Sequence, residues 1–224
     1  MKIRGSLRNN TLLGLGFALM MISLYLMFIY VPTEKGMGII QRIFYFHVPL
    51  AWVAFLAFFV VFITSILYLW KRDTKWDTLA HASAEIGVVF TTLVLITGPI
   101  WARPEWGSWW TWDARLTSSL ILWLTYIAYL LVRSFAEEEE KGARFAAVIG
   151  IVGFINVPIV YLSVNLWRTQ HPPELVSDLE GSMLLTLLVS ITTFTILYCL
   201  LIMRNVSLKS GIAEVKRLRG LLEE

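Results

Sequence analysis

Trp106-Gly107-Ser108-Trp109-Trp110-Thr111-Trp112-Asp113-Ala114-Arg115-Leu116-Thr117 lies between two long apolar runs. It holds four of the chain's ten tryptophans, beside an acid and an arginine. The flanking runs decide the fold class. Of 224 residues, 57% are apolar and 16% charged, against about a quarter charged in a soluble domain. A membrane span needs roughly 20 predominantly apolar residues, so several fit and little chain remains for a water-soluble domain. The sequence predicts an all-α polytopic membrane protein of six spans, with residues 1–224 as a single integral membrane domain.

Upstream of the tryptophans, span three runs from about Ala80 to Trp101, with Gly98-Pro99 near its end, where proline kinks or finishes a helix. The charged connector Lys71 to Asp77 separates it from span two, about Leu50 to Trp70. Before that comes a mixed stretch, Gly38 to Pro49, with Arg42 and His47 among Ile39, Ile40, Ile43, Phe44, Tyr45 and Phe46. The basic residues Lys2, Arg4 and Arg8 precede a first apolar run, about Leu12 to Val31. That run exceeds the roughly 7–15 apolar residues of a signal peptide and no small-residue cleavage site follows it, so it reads as a retained first span.

Downstream, span four covers about Ser118 to Val132 and is closed by Arg133 and the run Glu137–Glu140, Lys141. Span five covers about Phe145 to Leu166 with Pro158 inside it. The loop Trp167 to Gly181 carries His171-Pro172-Pro173, and span six runs from about Ser182 to Met203. Residues 204–224 form a basic tail. Its apolar residues from Ile212 to Leu222 recur at helical spacing, which predicts a surface-lying helix. Cys199, the single cysteine, can form no intrachain disulfide and reads as a packing residue.

Lysine and arginine mark the cytoplasmic side of a membrane protein. With the N-terminus inside, the outer loops hold five of the 19, namely Lys35, Arg42, Arg103, Arg115 and Arg168. The other fourteen fall on inner segments, so both termini are expected in the cytoplasm and residues 102–117 on the outer face. The basic residues cluster at helix ends rather than in a stripe, which excludes nucleic acid as a partner.

This topology gathers a chemical set. His47 and His171 fall on the outer side with the tryptophans and the four arginines, whereas His81 falls inside as an ordinary inner-loop residue. Imidazole is a common iron ligand, and a haem iron has two axial positions on opposite faces of its ring. Indoles suit a flat apolar ring, and arginine's planar fork suits the propionates. A helix through Trp106–Asp113 puts Trp106, Trp109, Trp110 and Asp113 on one face with Trp112 at its edge, and turns Arg115 away. Asp113 is then expected to orient the segment by accepting from indole N–H groups. Plainer readings stand beside these. Tryptophans favour membrane interfaces for their own sake, and a histidine at a helix end often serves only as a polar cap.

The run from Trp106 to Thr117 resembles the "WWD" signature of haem-handling membrane proteins. A six-span chain with one histidine before span two and one after span five is similar to the cytochrome c maturation protein C family. The resemblance covers essentially the whole chain. It implies haem b held at the outer face of the bacterial cytoplasmic membrane, with His47 and His171 as axial ligands to the iron. It also implies a platform of the WWD segment, here Trp106, Trp109, Trp110, Trp112 and Asp113, and a haem contact from Arg42. From its place on the same face, Arg115 joins Arg42 as a candidate propionate contact. The implied role is binding and delivery of haem to a membrane-tethered haem chaperone, and any bond-forming part is left open. The implied partners are that chaperone, an ATP-binding cassette (ABC) ATPase with its membrane subunit, a small single-span accessory protein and membrane lipid. Two other classes compete. A small-solute transporter would need ionisable residues inside its spans, where the sequence shows mainly Thr91, Thr92 and Asn156. A b-type electron-transfer cytochrome would need paired histidines there.

Overall fold

The computed structural model describes residues 2–171 and 179–223. Pro172 and Pro173 of the last loop lie outside the described residues. Helix α1 (Lys2–Tyr25) runs on as a single π turn, Leu26–Tyr30. A turn follows in which the Glu34 carboxylate accepts the N–H groups of Gly36 and Met37, and those bonds hold it below the ordinary carboxylate range. A 3-10 turn, Ile39–Ile43, then leads into α2 (Phe44–Lys71). The remaining helices are α3 (Thr74–Trp106), α4 (Ala114–Phe135), α5 (Glu139–Phe154), α6 (Asn156–Leu166) and α7 (Gly181–Glu223). Among the described residues, six helical stretches are long and apolar enough to cross a membrane, α5 and α6 together forming the fifth.

Several span boundaries differ from the sequence reading. Span two starts earlier, so His47 sits on the helix rather than before it. Pro49 lies inside α2, past its first turn, and leaves the Tyr45 carbonyl without its helical donor. Span three continues through Pro99 and Pro104 to Trp106. Span five breaks at Ile155, where Pro158 leaves the Phe154 carbonyl without its helical donor. The basic tail is the unbroken continuation of span six, not a separate helix. Cys199 is exposed on the outside of the bundle rather than packed within it.

The chain turns from α2 to α3 in two residues. Arg72 takes a left-handed conformation (φ 58°) after α2, and Asp73 caps α3 by accepting from the Lys75 N–H at 3.0 Å. The resulting antiparallel pair is the most extensive contact in the fold, and α2 also packs on α5 and α7. Its core is aromatic. The Phe58 and Tyr126 rings stack with centroids 3.7 Å apart, and the Tyr126 hydroxyl donates to the Gly150 carbonyl. Between α2, α3 and α7 the buried Ser83 hydroxyl bonds the Ala57 carbonyl and the Tyr198 hydroxyl, both at 2.8 Å.

This order sends the start of α2, the end of α3, the start of α4, the end of α6 and the start of α7 to one end of the bundle. The tryptophans are there, and the opposite end carries most of the lysines and arginines. At that basic end Arg133 holds Asp77 through two nitrogens, the Nη2–Oδ2 bond being 2.9 Å, with both side chains nearly buried. Glu85, inside span three, was missed among the polar span residues. It accepts from Asn205 (2.7 Å) and Lys209 (2.8 Å) of α7 and pairs with His81 (3.1 Å). His81 is therefore a half-buried helical residue bound into this cluster, not a loop residue.

Candidate functional site

His47, on the first turn of α2, faces α3 across the tryptophan end. Its Nδ1 lies 2.9 Å from the Thr97 Oγ1. A Cβ on Gly98 would stand 3.3 Å from His47 Cε1, so the glycine makes room for this edge of the imidazole ring. His171 and Arg115 both come close enough to act electrostatically on His47. Residues 68 and 124 positions further along the chain thus lie within electrostatic range of one imidazole.

The tryptophan segment is not the helix expected from its spacing. Gly107 takes φ 73°, which favours glycine, and ends α3 by donating its N–H to the Arg103 carbonyl at 3.1 Å. The Arg103 guanidinium bonds the Gly107 carbonyl in return. Residues 107–113 then run without helix to Asp113, the N-cap of α4. The single-face arrangement of Trp106, Trp109, Trp110 and Asp113 is lost with it. Trp106 instead packs edge-on against Trp101 (5.3 Å), and Trp110 against Trp112 (5.8 Å). Trp109 and Trp112 remain 59% and 77% exposed, enough ring surface for a further flat group to cover. The helical argument that turned Arg115 away from the site disappears too, because Arg115 belongs to the next helix.

Asp113 ties the segment together, though not by the expected indole bonds. Its Oδ1 accepts the Leu116 N–H at 3.0 Å as a helix cap. Its Oδ2 accepts the Thr111 hydroxyl at 3.1 Å and, more distantly at 3.4 Å, the Gln170 N–H. Gln170 precedes His171, whose own N–H donates to the Thr169 hydroxyl at 3.2 Å. One carboxylate therefore starts α4 and holds the loop that carries the second histidine. Arg42 donates to the Phe28 carbonyl in the π turn of the first span. Arg168 is exposed.

Four enclosed polar atoms at this end have no hydrogen-bond partner among the described residues: Gln41 Oε1, Arg42 Nε, Trp110 Nε1 and Thr117 Oγ1. An enclosed polar atom without a partner is costly. Together they leave donors and acceptors for a ligand that is itself polar at its edge.

The model of the "Heme exporter protein C" family matches residues 3–219. The chain belongs to this family. Similar proteins include "Heme exporter protein C" of Bradyrhizobium diazoefficiens, 39% identical over 84% of this chain and 75% of that protein. A "Putative cytochrome c biosynthesis ccmC-like mitochondrial protein" of Marchantia polymorpha is 36% identical over 80% of this chain and 76% of its own length. "Heme exporter protein C" of Escherichia coli strain K12 is 36% identical over 63% of this chain and 58% of that protein. Sequence reasoning missed Thr97 and Gln170 in this site. A threonine inside an apolar span carries no signal until its neighbour across the bundle is known. Gln170 acts through its backbone, which no side-chain pattern reveals.

Proposed function

We propose that this protein binds haem at its tryptophan end and delivers it during maturation of c-type cytochromes. The names of its relatives give the haem and the pathway. The observation that carries the proposal for this chain is that His171 and Arg115 lie within electrostatic range of His47, with the His171 loop tied to Asp113 through Gln170. His47 and His171 serve as the axial ligands of a haem b. Haem supplies an iron with two open axial positions and a flat apolar ring edged by carboxylates. The exposed rings of Trp109 and Trp112 suit that plate, with Trp110 packed edge-on against Trp112 and Trp106 against Trp101. Arg115 and the unpartnered Nε of Arg42 suit the propionates, as does the enclosed Trp110 N–H. Asp113 positions the platform and the His171 loop.

The lysine and arginine bias supports an orientation with the tryptophan end on the outer side and both termini in the cytoplasm, and we propose the bacterial inner membrane as the location. Delivery then goes to a membrane-tethered periplasmic haem chaperone. An ABC ATPase, its membrane subunit and a small single-span protein act as partners on this reading. A b-type electron-transfer cytochrome would need paired histidines inside its spans, whereas His47 lies on a span helix and His171 in the loop after α6. Such a protein keeps its haem, whereas a delivery protein releases it to an acceptor.

Absorption spectra of the purified protein, oxidised and reduced, test the site. Bis-histidine bands are expected in the wild type, weakened in both His47→Ala and His171→Ala. Unchanged spectra in the two variants would remove the histidines from the site. Haem that stays fully bound in the presence of an apo-chaperone would favour the cytochrome.

A further inference from the structure

The Thr97 hydroxyl has one hydrogen, and its surroundings show where that hydrogen goes. Thr97 Oγ1 lies 2.8 Å from the Leu93 carbonyl, four residues back on α3, and 3.4 Å from that of Val94. The same hydroxyl is 2.9 Å from His47 Nδ1. A carbonyl only accepts, so a hydroxyl that donates to Leu93 must accept from the imidazole.

Two other threonines in this bundle show the same arrangement with the direction fixed by chemistry. Thr92 donates to the Val88 carbonyl at 2.8 Å and accepts from the Trp123 indole N–H at 2.8 Å. Thr195 donates to the Ile191 carbonyl at 2.7 Å and accepts from the Trp52 N–H at 3.1 Å. An indole can only donate, so in both pairs the hydroxyl hydrogen is committed to its own helix and the oxygen receives the ring. The Thr97–His47 pair repeats this geometry with an imidazole in place of the indole.

We infer that Thr97 is a positioning residue that holds His47 as its Nδ1–H tautomer, leaving the lone pair on Nε2 for a metal. Gly98 completes the device, since its lack of a Cβ lets the Nδ1–Cε1 edge of the ring approach α3. A ligating histidine whose second nitrogen donates to a fixed acceptor keeps its tautomer and its orientation. Thr97 acts through its hydroxyl oxygen and touches no ligand. The inference rests on the proposed haem role for its purpose, but not for its test.

The test is nitrogen NMR of the haem-free protein with labelled histidine, the three signals being assigned with His→Gln variants. The wild type is expected to show His47 protonated at Nδ1. Thr97→Ser should retain that state. Thr97→Val, which keeps the shape and removes the acceptor, should shift His47 toward the Nε2–H form and weaken haem binding by about tenfold. A wild-type His47 protonated at Nε2 overturns the inference, and so does a folded Thr97→Val protein with an unaltered tautomer. If Thr97→Val does not fold, the wild-type and Thr97→Ser spectra decide alone. Wild-type protein with Nδ1–H on His47 but no haem binding would refute the haem site and leave the tautomer assignment standing.

Discussion

The two ends of the bundle differ in how many of their polar groups are matched within the protein. At the basic end, Asp77 is gripped by Arg133, and Glu85 receives Lys209, Asn205 and His81. The tryptophan end leaves four enclosed polar atoms without partners among the described residues, against Trp76 Nε1 and Arg133 Nε at the basic end. Trp109 and Trp112 stay largely uncovered, as does Trp70 at the basic end. The first pattern is that of a fastening between helices. The second is that of a site whose hydrogen bonds and apolar cover come from something that binds. Stability should therefore depend mainly on one end and ligand binding on the other.

The largest effect is expected from Asp77→Ala. It leaves the nearly buried Arg133 guanidinium without its carboxylate, and such a loss costs about 3–5 kcal/mol. Thermal denaturation in detergent should show a clearly lower midpoint, while the haem spectrum of the folded fraction stays normal. Lys209→Met removes one of three partners from the partly exposed Glu85 and should cost at most about 1 kcal/mol, again with haem binding intact. A haem defect in either variant would break the separation of the two ends.

Asp113 sharpens the comparison because it does both jobs. Asp113→Ala removes a helix cap, worth about 1 kcal/mol, and also frees the Gln170–His171 loop, so haem bands should weaken beyond what the stability loss explains. Asparagine caps about as well as aspartate, so Asp113→Asn should keep the melting midpoint. Equal haem bands in wild type and Asp113→Ala would reduce this residue to a cap. The smallest effect on the fold is expected from Gly98→Ala. A helical alanine is favoured over glycine by up to about 1 kcal/mol, yet its Cβ crowds His47. The midpoint should hold or rise while haem affinity falls, and a fall in both would mean the crowding spreads into the helix pair.

The spans and their number were legible because they follow from runs of apolar residues, and the family from the tryptophans around Asp113. The conformation of that segment was misread. The indole spacing fitted a helical face, but a local rule outweighed it, with a left-handed Gly107 closing one helix and Asp113 opening the next. Other features depend on partners far along the chain. Glu85 meets Lys209 across 124 positions, and Asp113 meets Gln170 across 57. Neither pairing leaves a local trace. Thr97 was equally silent, since its role is defined only once His47 stands opposite it.

Helix α7 runs unbroken for 43 residues. At 1.5 Å per residue that is about 65 Å, roughly twice the 30 Å hydrocarbon thickness of a bilayer. It begins beside the loop of His171, is held to α3 through Asn205 and Lys209, and beyond that point meets the body of the protein at the exposed Lys216–Glu139 pair. Mechanically this is a cantilever with its fulcrum at Glu85. A small change in the angle at which α7 leaves that fulcrum is magnified toward Leu222, so a spin label at the tip would serve as a pointer for rearrangements too slight to detect near the imidazoles themselves.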